Sequence, residues 1–378
     1  MAVSNVLVIG GGVAGMTAAI GLRRNGFAVE IAEINPDWSV LGLGIALLGP
    51  TLRALQTIGL LEPCLQLGFG FSSFSIGNPA GQIVRENELP RLLGPDTPAA
   101  VGIMRPTFHR VLTEACTALG VPVRLGVTVR SIDQSETTAA VEFSDGSTQR
   151  YDLVIVADGA YSKTRDLVFG AGLKPQFTGQ MVWRATVPRL PEVNSLHVYY
   201  GGPNQPGMNP VSADQMYVFL VECAPDNPRL PAERLAPVMR EQLASYQGPL
   251  AVARERITSP DQIVYRPIDA FLAPPPWHRG CVVLIGDAAH VPTPHLASGA
   301  GLAIEDAIVL VELLTAQRAS NVSITAVFDA FMARRYERCR MVVENSKQFG
   351  QWELHPGTPG ADPAGLMNQS MMAMAKPI

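Results

Sequence analysis

Residues 6–9, Val-Leu-Val-Ile, carry no polar side chain. A strand can be apolar on consecutive residues only where both of its faces are covered. Gly10, Gly12 and Gly15 follow at once. Beyond them Met16, Ala19, Ile20 and Leu22 make an apolar helical face, with Arg23 at its basic end and Asn25-Gly26 as the stop. A second strand, Ala28–Ala32, ends at Glu33. Strand, glycine turn, helix, strand and acid in that order confine the N-terminal region to an α/β fold with a parallel sheet. The spacing is a dinucleotide fingerprint. Gly10 permits the tight turn, Gly12 lets a pyrophosphate approach the backbone, and Gly15 lets the helix pack on the strand. Glu33, eighteen residues past Gly15, is placed to accept from ribose hydroxyls and disfavours a 2′-phosphate. Both FAD and NAD(H) satisfy these features.

Two further strands end in acids. Leu153–Ala157 is wholly apolar and runs into Asp158-Gly159, with Ser162, Lys163 and Arg165 opening a helix. Asp158 sits at a strand C-terminus, the usual place for ligand chemistry in such sheets, and a helix cap or turn residue is the other reading of it. Cys281–Ile285 ends in Gly286-Asp287-Ala288-Ala289-His290, and Ser298-Gly299-Ala300-Gly301 opens another helix. A carboxylate, free backbone N–H groups and the positive end of a helix dipole meet there. Between these units the pattern predicts a helix from about Arg105 to Leu119 and β-hairpin strands over 121–143.

From about Gly170 to Pro276 prolines are frequent and short β-like runs dominate, with one helix over Ala232–Tyr246. This predicts an inserted antiparallel sheet, which the β-like stretch Phe71–Leu92 is expected to join. Long helices follow over Leu302–Leu314 and Ala326–Phe349. The second carries Arg334, Arg335, Arg338 and Arg340, read as a solvated face. The Pro-, Gly- and Met-rich tail after Gly350 is read as surface loop.

Of the 378 residues 47% are apolar and 16% charged, with a net charge of −4, a globular composition without a basic run for nucleic acid. No apolar run approaches the roughly 20 residues of a membrane span. Five scattered cysteines without a CxxC pair point to reduced thiols and no zinc site. With an apolar strand from residue 6, they imply a cytoplasmic protein.

Taken together, the chain resembles the FAD-dependent aromatic hydroxylases, single-component flavoprotein monooxygenases such as p-hydroxybenzoate and salicylate hydroxylases. Three motifs carry the resemblance. They are Gly10-x-Gly12-x-x-Gly15 with Glu33, Ala157-Asp158-Gly159-Ala160-Tyr161-Ser162-Lys163-Thr164-Arg165, and Gly286–His290 with Pro294 and Gly299-Ala300-Gly301. Gly42–Ile45 and Arg105 ahead of a helix support it. The resemblance implies a Rossmann-like FAD-binding domain over 1–70, 101–169 and 277–350, a substrate-binding β-sheet domain over 71–100 and 170–276, and a tail over 351–378.

It also implies roles. Gly10, Gly12, Val13, Ala14, Gly15, Glu33 and Val129 would hold the ADP half of FAD, and Gly44 and Arg105 would contact the cofactor. Asp287, following Gly286, would bond the ribityl hydroxyls, and Gly299, Ala300 and Gly301 would face the isoalloxazine. Asp158, Gly159 and Arg165 would link this site to the groove visited by NADH or NADPH. The reaction would insert oxygen from O2 into a phenol-like aromatic or heteroaromatic ring through a flavin C4a-hydroperoxide, with the helix start stabilising reduced flavin and Ser298 as its cap. Tyr217, helping to ionise a phenol, and the Pro294 backbone are the catalytic candidates. Trp183, Arg184, His197, Tyr199, Asn209 and Pro210 are the pocket candidates. His290 is expected to be structural, no metal is implied, and a homodimer is left open. The alternatives are another FAD oxidoreductase on this fold (epoxidase, halogenase or oxidase), an NAD-dependent dehydrogenase, and a flavin-binding scaffold without turnover. Departures from the family pattern are Ser298 for Gln, Gly301 for Asn and Ile34 for a basic residue.

Overall fold

Three consecutively apolar strands lie side by side, as double-sided burial requires. The computed structural model describes residues 3–40, 42–320 and 322–378. Its central six-stranded sheet runs, in spatial order, His278–Arg279, Val282–Leu284, Leu153–Val156, Asn5–Ile9, Ala28–Glu33 and Val123–Leu125. All neighbours are parallel except the first pair. Val6–Ile9, Leu153–Val156 and Val282–Leu284 are buried throughout. Their backbone ends are stitched together: Ala157 N–H donates to the Ile9 carbonyl at 2.8 Å and Ile285 N–H to the Val156 carbonyl at 3.0 Å. The parallel direction brings three C-terminal ends, followed by Gly10, Asp158 and Asp287, to one edge of the sheet.

The helices Val13–Arg24, Arg105–Ala118 and Gly299–Arg318 pack into this core. The last of them is apolar nearly all round, as suits a helix enclosed by other helices. A three-stranded sheet of Val129–Gln134, Ala139–Phe143 and Thr148–Tyr151 adds Val141, Phe143 and Tyr151 to the same core.

A second, eight-stranded sheet is built mainly from residues 176–272, and Ser73–Gly77 joins it by pairing parallel with Leu196–Tyr199. Strand alternation decides its faces. Trp183, Ala185 and Val187 lie opposite Leu220, Val218 and Met216, and all six belong to a second core with Ala236, Met239, Leu250 and Ala253. Two helices, Ala232–Gln242 and Pro249–Glu255, cover that face; the second of them was not foreseen from the sequence. Arg184, Thr186, Asn209, Tyr217 and Phe219 alternate onto the other face. That face meets a small sheet of Gly44–Leu48, Phe69–Phe71 and Ala100–Met104.

Two C-terminal expectations need correction. The tail is not surface loop, since Pro363–Ala375 is a helix. Asp362 accepts from Gly365 N–H at 2.8 Å, and Pro363 occupies the first turn, a start signal that was present in the sequence. Nor are the four arginines of the long helix Ile324–Leu354 a solvated face. Arg335 is fully buried, with Nε 2.7 Å from Asp306 Oδ1 and Nη1 2.8 Å from Glu305 Oε2. Arg338 is bidentate on Glu305, both contacts 2.8 Å, and also donates to the Ala373 and Met374 carbonyls. Only Arg334 and Arg340 pair with exposed acids.

Removing one partner of a buried pair strands the other charge. Arg335→Ala is therefore expected to lower unfolding stability by about 3–5 kcal/mol. Arg340→Ala, on an exposed pair, should change it by less than about 1 kcal/mol. Urea denaturation of the two variants side by side checks this.

Candidate cofactor and substrate site

The glycine turn is fixed by contact. Gly10 has a φ of +105°, and a Cβ there would lie 2.3 Å from the Ala157 carbonyl oxygen. A Cβ on Gly15 would lie 1.9 Å from the Gly10 oxygen. Beside Gly12, in contrast, nothing stands within 4 Å, and no side chain caps the helix there. Its N-terminal N–H groups are open to an anion. Val13 flanks this opening, while Ala14 is buried where the chain returns at Gly286: a Cβ on Gly286 would lie 2.8 Å from Ala14 Cβ.

Glu33 is engaged with backbone, Oε2 accepting from Gly11 N–H at 2.6 Å and Oε1 from Asn35 N–H at 2.7 Å. Its remaining lone pairs are what a ribose would use. Sequence reasoning missed Trp38, whose Nε1 donates to the Gly11 carbonyl at 3.0 Å. His109 stands edge-on to it. Burial lowers the His109 imidazole, against the Gly11 carbonyl and the Glu33 charge. Val129 buries its side chain in the main core, leaving only its backbone for a ligand.

The other end of the site is built from the loop after the Val282–Leu284 strand. Gly286 has a φ of +58°, and its N–H donates to Asp306 Oδ2 at 2.9 Å. Asp287 next to it is solvent-exposed yet deeply enclosed. Burial raises its carboxyl, His290 and Arg105 pull it down, and Asp306 raises it further. An exposed carboxylate inside an enclosure lines an internal channel.

Ser298 does not cap the following helix, because its hydroxyl donates to the Leu296 carbonyl at 2.7 Å. The N–H groups of Gly299, Ala300 and Gly301 thus have neither a side-chain cap nor an intrahelical acceptor. Gly301 has a packing reason, since a Cβ there would lie 2.3 Å from Thr51 Oγ1. Ala297, before the helix, is left-handed at φ +46°. The Pro294 carbonyl accepts from Ala297 N–H at 2.9 Å, which fixes the group expected to act catalytically and leaves it a second lone pair.

Arg105 has a buried Nε without a partner, and no acceptor holds its guanidinium among the described residues. Its charge is felt at both Asp287 and Tyr217. Asp158 caps Thr164 N–H at 3.2 Å through Oδ2, and its Oδ1 is buried without a partner. Gly159 beside it is open on its Cβ side. Arg165 is 1% exposed and spends its donors on the Leu173, Ala288 and Ala160 carbonyls. It cannot reach a visiting nucleotide. What it does is tie the Asp158 loop to the Asp287 loop.

The pocket candidates divide by strand parity. Arg184, Asn209 and Tyr217 come together on the face toward the small sheet of Gly44–Leu48, Phe69–Phe71 and Ala100–Met104. A Cβ on Gly44 would lie 2.2 Å from the Tyr217 ring, and one on Gly102 would lie 1.8 Å from the Pro210 carbonyl oxygen and 2.8 Å from Asn209 Nδ2. Trp183 and Tyr199 instead fill the second core, and His197 is buried opposite Met208 on that same face. Trp183 Nε1 donates to Glu222 at 2.7 Å, which uses its polar edge. These three stand on the face away from the small sheet of Gly44–Leu48, Phe69–Phe71 and Ala100–Met104, because residues one apart in a strand face opposite ways.

Burial raises the Tyr217 phenol, while Arg184, Arg105 and the Asn209 amide pull it down. Burial also lowers the Arg184 guanidinium, which has no hydrogen-bond or ion-pair partner among the described residues. His290, Asp306 and Cys339 offer ligand atoms within 4.8 Å of one another. That group already holds a cation, the Arg335 guanidinium, bonded to Asp306 and 3.6 Å from Cys339 Sγ.

The enclosed acid, open N–H groups and unpaired Arg105 are the acceptor and donors a flavin dinucleotide would use. A family model described as FAD binding domain matches residues 3–346. The chain is 28% identical to 2-heptyl-3-hydroxy-4(1H)-quinolone synthase of Pseudomonas aeruginosa, over 92% of this chain and 90% of that one. It is 26% identical to 6-hydroxynicotinate 3-monooxygenase of Bordetella bronchiseptica, over 89% of each. Klebsiella pneumoniae HpxO complexed with FAD and uric acid superposes with a TM-score of 0.83 at 21% identity, over 98% of this chain and 92% of that one. No helix among the described residues is long and apolar enough to cross a membrane.

Two variants test this geometry. Asp287→Ala removes a charged hydrogen-bond acceptor, so the Kd for FAD should rise roughly ten- to hundredfold, read by flavin fluorescence with the fold intact by circular dichroism. Ala297→Gly relieves a left-handed alanine and should raise stability by up to about 1 kcal/mol in thermal unfolding.

Proposed function

The chain belongs to the FAD-binding-domain family, and we propose that it is a monooxygenase whose substrate is an aromatic or heteroaromatic ring bearing an ionisable hydroxyl and an anionic group. It would take its electrons from NADH or NADPH as a transient reductant. The observation that carries the substrate reading is the pair Arg184 and Arg105. Tyr217 feels both guanidinium charges, Arg184 feels that of Arg105, and neither has a carboxylate partner among the described residues. An enclosed cation without a counter-ion is costly, so the site favours anions. One is the cofactor's pyrophosphate, suited to Arg105. The other is a substrate carboxylate or phenolate, suited to Arg184.

Bound FAD supplies the redox chemistry between reduced nicotinamide and O2. The chain's own residues bind, orient and enclose. The open N–H groups at Gly299–Gly301 would offer positive potential to the negative charge of a reduced flavin bound there. Asp287 would accept from the ribityl hydroxyls. Tyr217, held protonated by burial and fixed by the packing of its own ring on Gly44, would donate its O–H to a substrate oxygen. A phenolate bound there is richer in electrons at the ring carbon to be oxidised.

Purified protein is expected to be yellow. A screen of hydroxylated aromatic and heteroaromatic acids should find one that accelerates NAD(P)H oxidation and leaves a product one oxygen heavier. Arg184→Met should raise the KM for that acid roughly ten- to a hundredfold, with kcat changed far less. A colourless protein that does not take up FAD would contradict the proposal, and an unchanged KM in Arg184→Met would remove the anion from it.

A further inference from the structure

The turn between Asp287 and the helix at Gly299 holds a hydrogen-bonded chain that the reading above leaves unused. Thr293 is 2% exposed, and its Oγ1 lies 2.7 Å from His295 Nδ1. His295 Nε2 lies 3.0 Å from Glu353 Oε2, and the same oxygen accepts from Gln180 Nε2 at 2.8 Å. A carboxylate facing Nε2 places the imidazole proton on that nitrogen, so Nδ1 accepts from the Thr293 hydroxyl.

Three separate elements converge here: the turn, the end of the long helix, and the strand that carries Arg184 four residues after Gln180. Gly350 permits the approach, because a Cβ there would lie 2.4 Å from Gln180 Oε1 and 3.4 Å from His295 Cε1. Phe349 lies parallel to the imidazole, at an interplanar angle of 10°. Gln180 is 1% exposed, and its Oε1 is buried without a partner beside the chain. Side-chain exposure rises along it, from 6% at His295 to 25% at Glu353. The Tyr200 phenol stands at the outer end, raised by burial and by the Glu353 charge.

We propose that Thr293, His295 and Glu353 relay protons between solvent and the ring end of the cofactor site. The proposal rests on the monooxygenase reading, whose balance takes up one proton: R–H + O2 + NAD(P)H + H⁺ gives R–OH + NAD(P)⁺ + H2O. Two electrons come from the nicotinamide and two from the ring. One proton enters from solvent and leaves in water. Inward delivery runs from a protonated Glu353 to a bare Nε2, while Nδ1–H passes its proton to Thr293 Oγ1 and Thr293 passes one on. The Nε2–H form is the state each delivery leaves. The trio reloads when Glu353 takes a proton from solvent and the imidazole exchanges its proton from Nε2 to Nδ1.

The test needs no aromatic substrate. FAD bound to the protein is photoreduced and mixed with O2, and its return to the oxidised form, with one proton consumed per H2O2 released, is followed by absorbance. His295→Ala and Glu353→Gln should each slow this step by about a hundredfold, with FAD affinity within twofold of native. Millimolar imidazole should restore the His295→Ala rate, and the native step should slow in D2O. Independently, ¹⁵N spectra of the histidine-labelled, FAD-loaded protein should show the His295 signal, identified by its loss in His295→Ala, as the Nε2–H tautomer, and that signal should change in Glu353→Gln. Native reoxidation rates in both variants, or a slow rate that imidazole does not restore, would reduce the trio to a structural latch and overturn the relay. Failure to bind FAD at all would instead count against the monooxygenase reading.

Discussion

Asp306 is a fully buried carboxylate on which the last loop of the site depends. Its Oδ2 holds Gly286 N–H and His290 Nε2, at 2.9 and 2.7 Å, and its Oδ1 holds Arg335 Nε. Burying a carboxylate costs several kcal/mol, so the group is tolerable only because each of its lone pairs is used. Burial works against its charge, yet His290 and Arg335 bring the acid down to about 2. Burial likewise opposes charge on His290, and Cys339 and Asp306 outweigh it, lifting the imidazole well above its ordinary value. The network runs on through Glu305 and Arg338 to the carbonyls of the C-terminal helix, which Arg53 also holds. A segment some 70 residues further along thereby braces the loop that presents Asp287.

The sheet supplies the other constraint. Parallel pairing makes three chain segments far apart in sequence end at one edge, and each end then needs a turn that lets the backbone pass close to its neighbours. Gly10 against Ala157 and Gly286 against Ala14 are those close passes. The same device joins the two sheets, where Gly44 and Gly102 admit Tyr217 and Pro210. Arg165 closes the arrangement from behind by bonding three carbonyls and lying 4.4 Å over the Phe271 ring. The site is shaped by absent Cβ atoms on one side and by a buried guanidinium on the other.

Much of this was legible because double-sided burial leaves an unambiguous trace. The runs Val6–Ile9, Leu153–Val156 and Val282–Leu284 could be only central strands, and the acids and glycines after them follow from topology. What was not legible depends on which way a residue faces. Arg334, Arg335, Arg338 and Arg340 are chemically alike, and only the helix carrying Glu305 and Asp306 makes two of them internal. Trp183 and Arg184 are neighbours in one strand, and the helices at 232–242 and 249–255 decide which of them is core. Ser298 has the composition of a cap, but its hydroxyl turns back to Leu296 because the chain ahead of it is wound tightly enough to put Ala297 at positive φ. The helix at 363–375 was marked by Asp362-Pro363 and masked by a composition that suggests loop.

The contrast between Asp287 and Asp306 shows how one fold gives two carboxylates opposite duties. Asp306 is enclosed and every neighbour it meets is a donor or a cation, so it stays charged and structural. Asp287 is enclosed too, but it is exposed within that enclosure, with no donor among the described residues to replace lost water. Burial therefore pushes its acid up while the Arg105 charge draws it down. A group held in that balance is improved most by hydroxyl donors arriving from outside, which return the hydrogen bonds that folding removed. Arg105, with its buried and unpartnered Nε, is the matching case of opposite sign, improved most by an arriving anion. The two stand within electrostatic reach of each other, so hydroxyls on one segment and negative charge on the next is the pattern this site is built to receive. A flavin dinucleotide carries that pattern along its ribityl and pyrophosphate segments.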